Sequence, residues 1–203
     1  LQARTRGLTI IFSRTKRSCQ RQADDLQERG FATGSIHGAL RQETRERALR
    51  AFRNGNVDVL VATDVAARGI DVDDVTHVIN YGLPEDDKTY IHRIGRTARA
   101  GHSGTAITFV DWEDLTRWRV INKTLELGFE EPLETYHTSA HLYADLDIPT
   151  DATGYLPRSK RVRAGLQAEE IEDLGGNDPG ARPERKSRTK GKKDAKATRS
   201  STT

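Results

Sequence analysis

Cysteine and long apolar runs are the two features that this sequence most lacks. Cys19 is the single cysteine, which excludes an internal disulfide and a zinc site built on several cysteines. No apolar run approaches the roughly 18 residues of a membrane-spanning helix. The run of about five apolar residues near the amino terminus is too short for a signal peptide. The sequence therefore favours a protein of the reducing cytoplasm without a membrane partner.

Two glycine-rich nucleotide-binding motifs are also absent. No turn has the pattern GxGxxG, which leaves a dinucleotide fold with little support, and the phosphate-binding pattern GxxxxGK[ST] does not occur. Yet the stretch YIHRIGRTARAG, residues 90–101, carries an arginine at every third position. Such a cluster stabilises charge on a phosphoryl group during its transfer. The two observations together predict that the chain is one half of a phosphate-handling enzyme.

Charge is distributed unevenly along the chain. Residues 181–203 carry nine Lys or Arg and two acids, a net charge of +7, so the other 180 residues sum to −4 although the whole chain has +3. Charged residues make up 31% of the chain and hydrophobic residues 34%, which suits a folded domain with part of the chain outside its core. We expect a disordered cationic tail that contacts nucleic acid or another polyanion, with a purely solubilising tail as the alternative.

Short apolar runs alternate with amphipathic stretches over the first 130 residues. This pattern predicts strands over 8–13, 33–38, 57–64, 75–82 and 104–111, and helices over 16–30, 41–55, 86–94 and 112–128. Alternation of this kind predicts an α/β fold with a mostly parallel sheet covered by helices on both faces. The polar clusters at 13–15, 37–38 and 63–64 follow strands, and ligands of such sheets bind at the carboxyl ends of strands.

After Gly128 the alternation fades, and the stretch EPLETYHTSAHLYADLDIP has some extended character. We therefore divide the chain into a folded domain over 1–130, a partly ordered extension over 131–155 and a charged, disordered tail over 156–203. His137 and His141 lie four residues apart in the extension. With no cysteine and no arranged acid beside them, we expect no metal site there.

Four motifs carry a specific resemblance. The stretches ATDVAARGID (62–71) and HRIGRTARAG (92–101) resemble motifs V and VI of the DEAD-box RNA helicases, TIIFSRTK resembles motif IV, and RQETRERALRAF resembles motif IVa. All four occur in the order of that family. The resemblance implies a RecA-like domain that works with an amino-terminal RecA-like domain. That partner would hold the Walker A loop, GxxxxGK[ST], and most of the Mg²⁺ site for ATP.

The resemblance also implies roles for individual residues. Arg96 and Arg99 would be catalytic and bind the γ-phosphate of ATP, with Arg99 as the arginine finger, because a guanidinium keeps its charge and offers a planar fork of donors. Asp71 would bind the ATP ribose. Coupling to the other domain would fall to His92, Arg93 and Arg68. RNA would be bound, mostly through its backbone, by Arg14, Gly38, Gln42, Arg45, Thr63 and Gly69.

One residue departs from the family pattern. The family usually has glycine where this chain has Ala98, a difference of one methyl group. We expect the Arg99 geometry to be kept, and the loop to be slightly less free provided that Ala98 does not need a positive φ.

These features predict that the chain is the carboxyl-terminal half of an ATP-dependent RNA helicase and is inactive alone. It would be either a fragment of a longer helicase or a separate domain that acts with the other half. Two alternatives remain open at this point. The chain could be a non-catalytic RNA-binding or regulatory module, since it lacks the Walker A motif GxxxxGK[ST], or it could be half of a DNA helicase. The sequence leaves the oligomeric state and the particular RNA open.

Overall fold

Five parallel strands form the central sheet of the protein. The structure, a computed structural model, describes residues 1–157 apart from 69, 71, 73, 100 and 102, and also residues 159 and 161. The strands are β1 (Leu8–Phe12), β2 (Thr33–Ile36), β3 (Val59–Ala62), β4 (Val75–Asn80) and β5 (Thr105–Thr108). They lie in the order β2-β3-β1-β4-β5, and every neighbouring pair is parallel. All five carboxyl ends therefore meet at one edge of the sheet.

Helices cover both faces of this sheet. They are α1 (Lys16–Glu28), α2 (Gln42–Arg53), α3 (Asp64–Ala67), α4 (Asp87–Ile94), α5 (Leu115–Thr124) and α6 (Ala140–Asp145), with a 3₁₀ turn at Trp112–Asp114. Ile10 and Ile11 are adjacent in β1 and so point to opposite faces. Ile10 packs in a cluster with Phe52 of α2, whereas Ile11 packs with Cys19 of α1. The predicted parallel sheet with helices on both faces is confirmed.

Local sequence explains where the helices begin and end. The Thr15 side chain accepts a hydrogen bond from the Ser18 amide at 3.1 Å and caps α1, and Asp86 caps α4 by accepting from the Thr89 amide at 2.7 Å. Gly30 follows α1 with a φ of 92°. This left-handed conformation is the usual way to end a helix and is open to glycine without strain.

The extension after α5 differs from the sequence-based expectation. Its stretch HLYADLDIP was expected to have extended character, but Ala140–Asp145 form the helix α6. None of the residues of α6 is buried, which explains why no apolar periodicity marked it. The chain then returns to the sheet, where Leu156 packs against the cluster around Ile11. The proposed tail over 156–203 lies outside the described residues from 162 onward.

Candidate functional site

Three sequence-predicted RNA contacts lie side by side at the carboxyl edge of the sheet. Gly38 follows β2, Thr63 follows β3 and Arg14 follows β1, and these three strands are neighbours in that order. Adjacent strands of a sheet lie about 4.8 Å apart. The fold therefore places these residues in one row, as expected from the positions of the polar clusters in the sequence.

Gly38 is a glycine for which the described part of the chain shows no structural need. A Cβ built at Gly38 would meet no atom within 4 Å, and its φ is not in the left-handed region. At Gly104, by contrast, a Cβ would lie 2.7 Å from the Ala98 amide nitrogen. The missing side chain at Gly38 leaves the backbone open to close approach from outside, which suits a ligand phosphate.

The amino-terminal end of α2 lies beside Gly38 and lacks a side-chain cap. Arg41 occupies the N-cap position, and among the described residues its side chain makes no cap hydrogen bond. The first amides of a helix are unsatisfied and attract anions. Gln42 and Arg45 lie in this first turn, where Arg45 Nη1 donates to Gln42 Oε1 at 3.2 Å and Arg45 Nη2 donates to the Ala66 carbonyl at 3.3 Å.

His37, next to Gly38, is 7% exposed. Burial, followed by the positive charge of Lys16, lowers the pKa of His37 below its ordinary 6.5. The imidazole is therefore neutral near pH 7. In the described part of the chain its Nδ1 has no hydrogen-bond partner, while Nε2 lies 3.4 Å from Gln20 Oε1.

Arg14 is held at the edge by an acid. Its Nη2 lies 3.1 Å from Asp114 Oδ1, and about half of the Arg14 side chain is exposed. Asp114 is also paired with Arg117 at 3.3 Å. This arrangement orients Arg14 while leaving part of its guanidinium in solvent, so an anion at the edge could still be reached.

Arg93 is the most deeply buried arginine of the predicted site. Its side chain is 3% exposed, and its Nε and Nη2 donate to the two carboxylate oxygens of Asp64 at 2.6 and 2.7 Å. Nη1 donates to Asn80 Oδ1 at 3.1 Å and to the Gly82 carbonyl at 2.7 Å. The guanidinium also lies 5.1 Å from the Phe12 ring centroid. All three guanidinium nitrogens of Arg93 thus donate to groups of its own domain.

The two arginines predicted to bind phosphate lie toward the other end of the sheet. The loop that carries them follows α4, and the Thr97 hydroxyl donates to the carbonyl of Val75, the first residue of β4, at 2.5 Å. Arg96 Nη1 donates to the Ile70 carbonyl at 2.7 Å, and Arg99 Nε donates to the Gly95 carbonyl at 2.9 Å. Since α4 begins at the carboxyl edge and is about 12 Å long, it links the two ends.

Ala98 does need a positive φ. Its φ is 56°, in the left-handed region that costs an L-residue with a Cβ about 1–2 kcal/mol relative to the right-handed one. The expectation of a slightly less free loop applied only if Ala98 did not need a positive φ, and that condition is not met. Ala98, one of the two residues between Arg96 and Arg99, is therefore strained.

The remaining predicted residues divide into two groups. His92 and Arg68 are exposed. Gly69 and Asp71, predicted to bind RNA and the ATP ribose, lie outside the described residues, although their neighbour Ile70 is buried. Within the described part of the chain no group of three or more His, Cys, Asp or Glu is arranged to hold a metal ion. Nor does any described helix combine the length and apolarity required to span a bilayer.

Comparison with known proteins identifies the family. The model of the helicase conserved C-terminal domain matches residues 1–101. The chain is 37% identical to the E. coli DEAD-box protein SrmB in a crystal structure with regulator of ribonuclease activity A, covering 75% of this chain and 85% of that one with a TM-score of 0.58. The chain belongs to the DEAD-box helicases and contains their conserved C-terminal domain. Within that family it corresponds to the RecA-like C-terminal domain of a bacterial-type member.

Two further relatives define how much of a helicase is present. The ATP-dependent RNA helicase CshA of Listeria monocytogenes is 50% identical over 117 residues, which cover 58% of this chain and 22% of the relative. The structure of the C-terminal domain of the DEAD-box protein Dbp5 is 41% identical with a TM-score of 0.56, over 60% of this chain and 71% of that one. The chain spans about a quarter of the length of the curated relatives it matches.

Several residues that shape the site were not selected from the sequence. Asp64 and Asn80 bind Arg93, and Thr97 and Gly104 fix the arginine loop. One signal was available for Asn80, because a polar residue at the end of the apolar run VTHVIN needs a buried partner. For Thr97 and Gly104 the sequence carries no such signal, because their contacts join β4 and β5 to a loop.

Proposed function

We propose that this chain is the carboxyl-terminal half of an ATP-dependent RNA helicase that closes on RNA and ATP together with an amino-terminal RecA-like domain. The observation that carries the proposal is the division of one domain into two polar surfaces linked by a buried ion pair. The row Gly38, Thr63 and Arg14 forms the RNA edge. Arg96 and Arg99 form the phosphate loop.

The RNA edge suits a sugar-phosphate backbone. It combines an open glycine, the uncapped amino-terminal end of α2 and a half-exposed arginine. These groups recognise anions and carry no pattern of donors and acceptors that would distinguish one base from another. RNA bound there would therefore be held with little sequence preference.

The phosphate loop suits charge stabilisation on a transferring phosphoryl group. When ATP and Mg²⁺ are bound between the two domains, hydrolysis supplies the free energy that resets the closed state. Arg96 and Arg99 rest on the backbone carbonyls of Ile70 and Gly95. A γ-phosphate offers these guanidinium groups a charged acceptor, which forms stronger hydrogen bonds than a neutral carbonyl does.

Arg93 links these two surfaces from inside the domain. Asp64 directly follows Thr63 of the RNA edge, and Arg93 lies one helical turn before Arg96 of the phosphate loop. The coupling role predicted for Arg93 would therefore be indirect, since its 3% exposed side chain holds α3 against α4. Exposed His92 and Arg68 remain available for direct contact with the other domain.

The first test of this proposal is ATP hydrolysis. The chain is joined to an amino-terminal RecA-like domain and assayed with and without RNA, and Arg99→Ala is expected to lower kcat by about 10³–10⁵. Arg119→Ala, which removes an exposed arginine from α5, is the matched control and should leave turnover unchanged. A joined protein that hydrolyses no ATP with RNA present would refute the helicase proposal and favour the non-catalytic module.

Gly38→Ala tests the RNA edge separately from hydrolysis. The added methyl group meets no atom of the described chain, so the free energy of unfolding should stay within about 0.5 kcal/mol of the original. Blocking one amide-to-phosphate hydrogen bond should weaken RNA binding about tenfold or more. Unchanged RNA affinity in a titration would remove Gly38 from the RNA edge. Stronger stimulation of hydrolysis by DNA than by RNA of the same sequence would favour a DNA helicase instead.

A further inference from the structure

The loop between α4 and β5 is fastened to the sheet at one buried side chain. Thr97 is 5% exposed and lies between the two arginines of the phosphate loop. Its hydroxyl donates to the Val75 carbonyl at 2.5 Å, and its amide donates to the Ile94 carbonyl at 3.0 Å. The middle of the loop is thus tied both to the start of β4 and to the end of α4.

Gly104, at the end of the loop, packs closely against Thr97 and Ala98. A Cβ at Gly104 would fall 2.8 Å from Thr97 Cγ2 and 2.7 Å from the Ala98 amide nitrogen, and closer still to Thr97 Oγ1. Distances below about 3 Å are not tolerated by real side chains, so only glycine allows this packing. Both ends of the loop therefore contribute to holding Thr97 in place.

We propose that Thr97 and Gly104 are positioning residues that set the aim of Arg96 and Arg99 toward a phosphate. The inference rests on the proposed function of these arginines. Arg96 and Arg99 lie on backbone that forms no regular helix, and Ala98 between them has a left-handed φ of 56°. The Thr97 hydrogen bond fixes this backbone, so removing it lets both guanidinium groups shift together.

The expected effect falls on turnover rather than on binding. A displacement of about 1 Å at a catalytic group costs on the order of 100-fold in rate. Thr97 lies by the first residue of β4, whereas the RNA edge lies at the carboxyl ends of the strands. A change at Thr97 should therefore leave RNA affinity as it was.

The test compares Thr97→Val with Thr97→Ser in the chain joined to an amino-terminal RecA-like domain. Valine keeps the shape of threonine and loses the hydroxyl, whereas serine keeps the hydroxyl. We expect kcat for RNA-stimulated ATP hydrolysis to fall about 10- to 100-fold in Thr97→Val and to stay within about threefold in Thr97→Ser. Gly104→Ala, which displaces Thr97 without removing its hydroxyl, should also lower kcat.

Thr33→Val supplies the matched control. The Thr33 hydroxyl is buried and donates to the Phe31 carbonyl at 3.3 Å, so the control removes the same kind of bond outside the phosphate loop. Thr33→Val and Thr97→Val should lower the melting temperature to a similar degree, yet only Thr97→Val should lower kcat. Equal kcat in these two variants, with Arg99→Ala still inactive, would overturn the positioning role and leave the proposed function standing.

A second readout uses this chain alone and needs no catalysis. Hydrogen exchange of the amides of residues 96–99 should quicken in Thr97→Val and stay unchanged in Thr33→Val. If these amides exchange at the original rate in Thr97→Val, the loop is not held by this hydroxyl and the inference is wrong. If these amides exchange faster in Thr97→Val while Arg99→Ala keeps full activity, the Thr97 hydrogen bond does hold the loop, but the phosphate role of the arginines is wrong.

Discussion

Ala98 shows how one methyl group can leave a loop under strain. Its left-handed φ of 56° lies between two arginines whose direction matters for the proposed chemistry. Glycine adopts this conformation at no steric cost, although it loses more entropy on folding. Compared with glycine, alanine at this position reduces the number of backbone conformations open to the unfolded chain, but it raises the energy of the folded loop.

Ala98→Gly is expected to stabilise the domain. Relief of the strain should outweigh the added chain entropy and raise the free energy of unfolding by about 0.5–1 kcal/mol, measured by denaturant titration. Ala144→Gly, at an exposed position in the helix α6, is the control and should be destabilising by about 0.5–1 kcal/mol. A loss of stability in both variants would contradict the strain at Ala98.

At the scale of elements, the ion pair between α3 and α4 connects the two polar surfaces. Arg93 is buried, whereas the Asp64 side chain is 38% exposed. The acid thus keeps contact with solvent at the RNA edge while it satisfies the buried guanidinium. A pair of this kind transmits a shift of α3 to α4 because the guanidinium has no other carboxylate among its described contacts.

Asp64→Ala is expected to cost much more than the loss of a surface pair. It leaves the buried Arg93 without a counter-ion, and we expect the free energy of unfolding to fall by about 3 kcal/mol, the lower end of the range for such pairs because Asp64 is partly exposed. Arg4→Ala breaks the pair with Asp147, in which both side chains are at least half exposed, and should cost about 0–1 kcal/mol. The free energy of unfolding is measured by urea titration. Similar decreases in the two variants would contradict the proposal that Asp64 is needed to neutralise the buried Arg93.

The elements also show what a sequence can and cannot specify. Runs such as VDVLVATD predict a buried strand because apolar and β-branched residues follow one another, and β3 does lie at Val59–Ala62 within that run. The four residues of α3 are too few for helical periodicity, so that helix was missed. The four motifs predict a site that contains Arg96 and Arg99. The burial of Arg93 could not be predicted in this way, because its contacts with Asp64, Asn80 and Phe12 form only in the packed fold.

At the scale of the whole molecule, the RNA edge and the phosphate loop lie toward opposite ends of one parallel sheet. The sequence led us to expect ligands at the carboxyl ends of the strands, and the polar clusters of the RNA edge are indeed there. The phosphate loop follows a helix that returns from that edge, so its residues meet the start of β4 instead. A domain built in this way can contact two ligands without either one blocking the other.

Stability should depend on pH through two buried histidines. Burial, with nearby positive charge as a smaller cause, lowers the pKa of both His37 and His77 below 6.5. Below pH 6.5 the unfolded chain takes up protons that the folded domain does not, so stability is fully present above that pH and is lost as the pH falls. We expect the free energy of unfolding to decrease as the pH falls below about 6.5.

His77→Gln tests this pH dependence. The variant should flatten the decrease, because one of the two groups that are protonated only on unfolding has been removed. His137→Gln, which replaces an exposed histidine, should leave the slope as it was. Parallel slopes for the original protein and His77→Gln, measured by urea unfolding at several pH values, would exclude His77 as a source of the acid sensitivity.

The distance between the RNA edge and the phosphate loop has a consequence for inhibition. A small molecule bound to Arg96 and Arg99 would meet neither Gly38 nor Arg14, so raising the RNA concentration would not displace it. Such a compound would act as a noncompetitive inhibitor toward RNA. A cationic compound that masked the phosphates of the RNA itself would instead be overcome by added RNA, and the two modes of action could be told apart by a simple dose series.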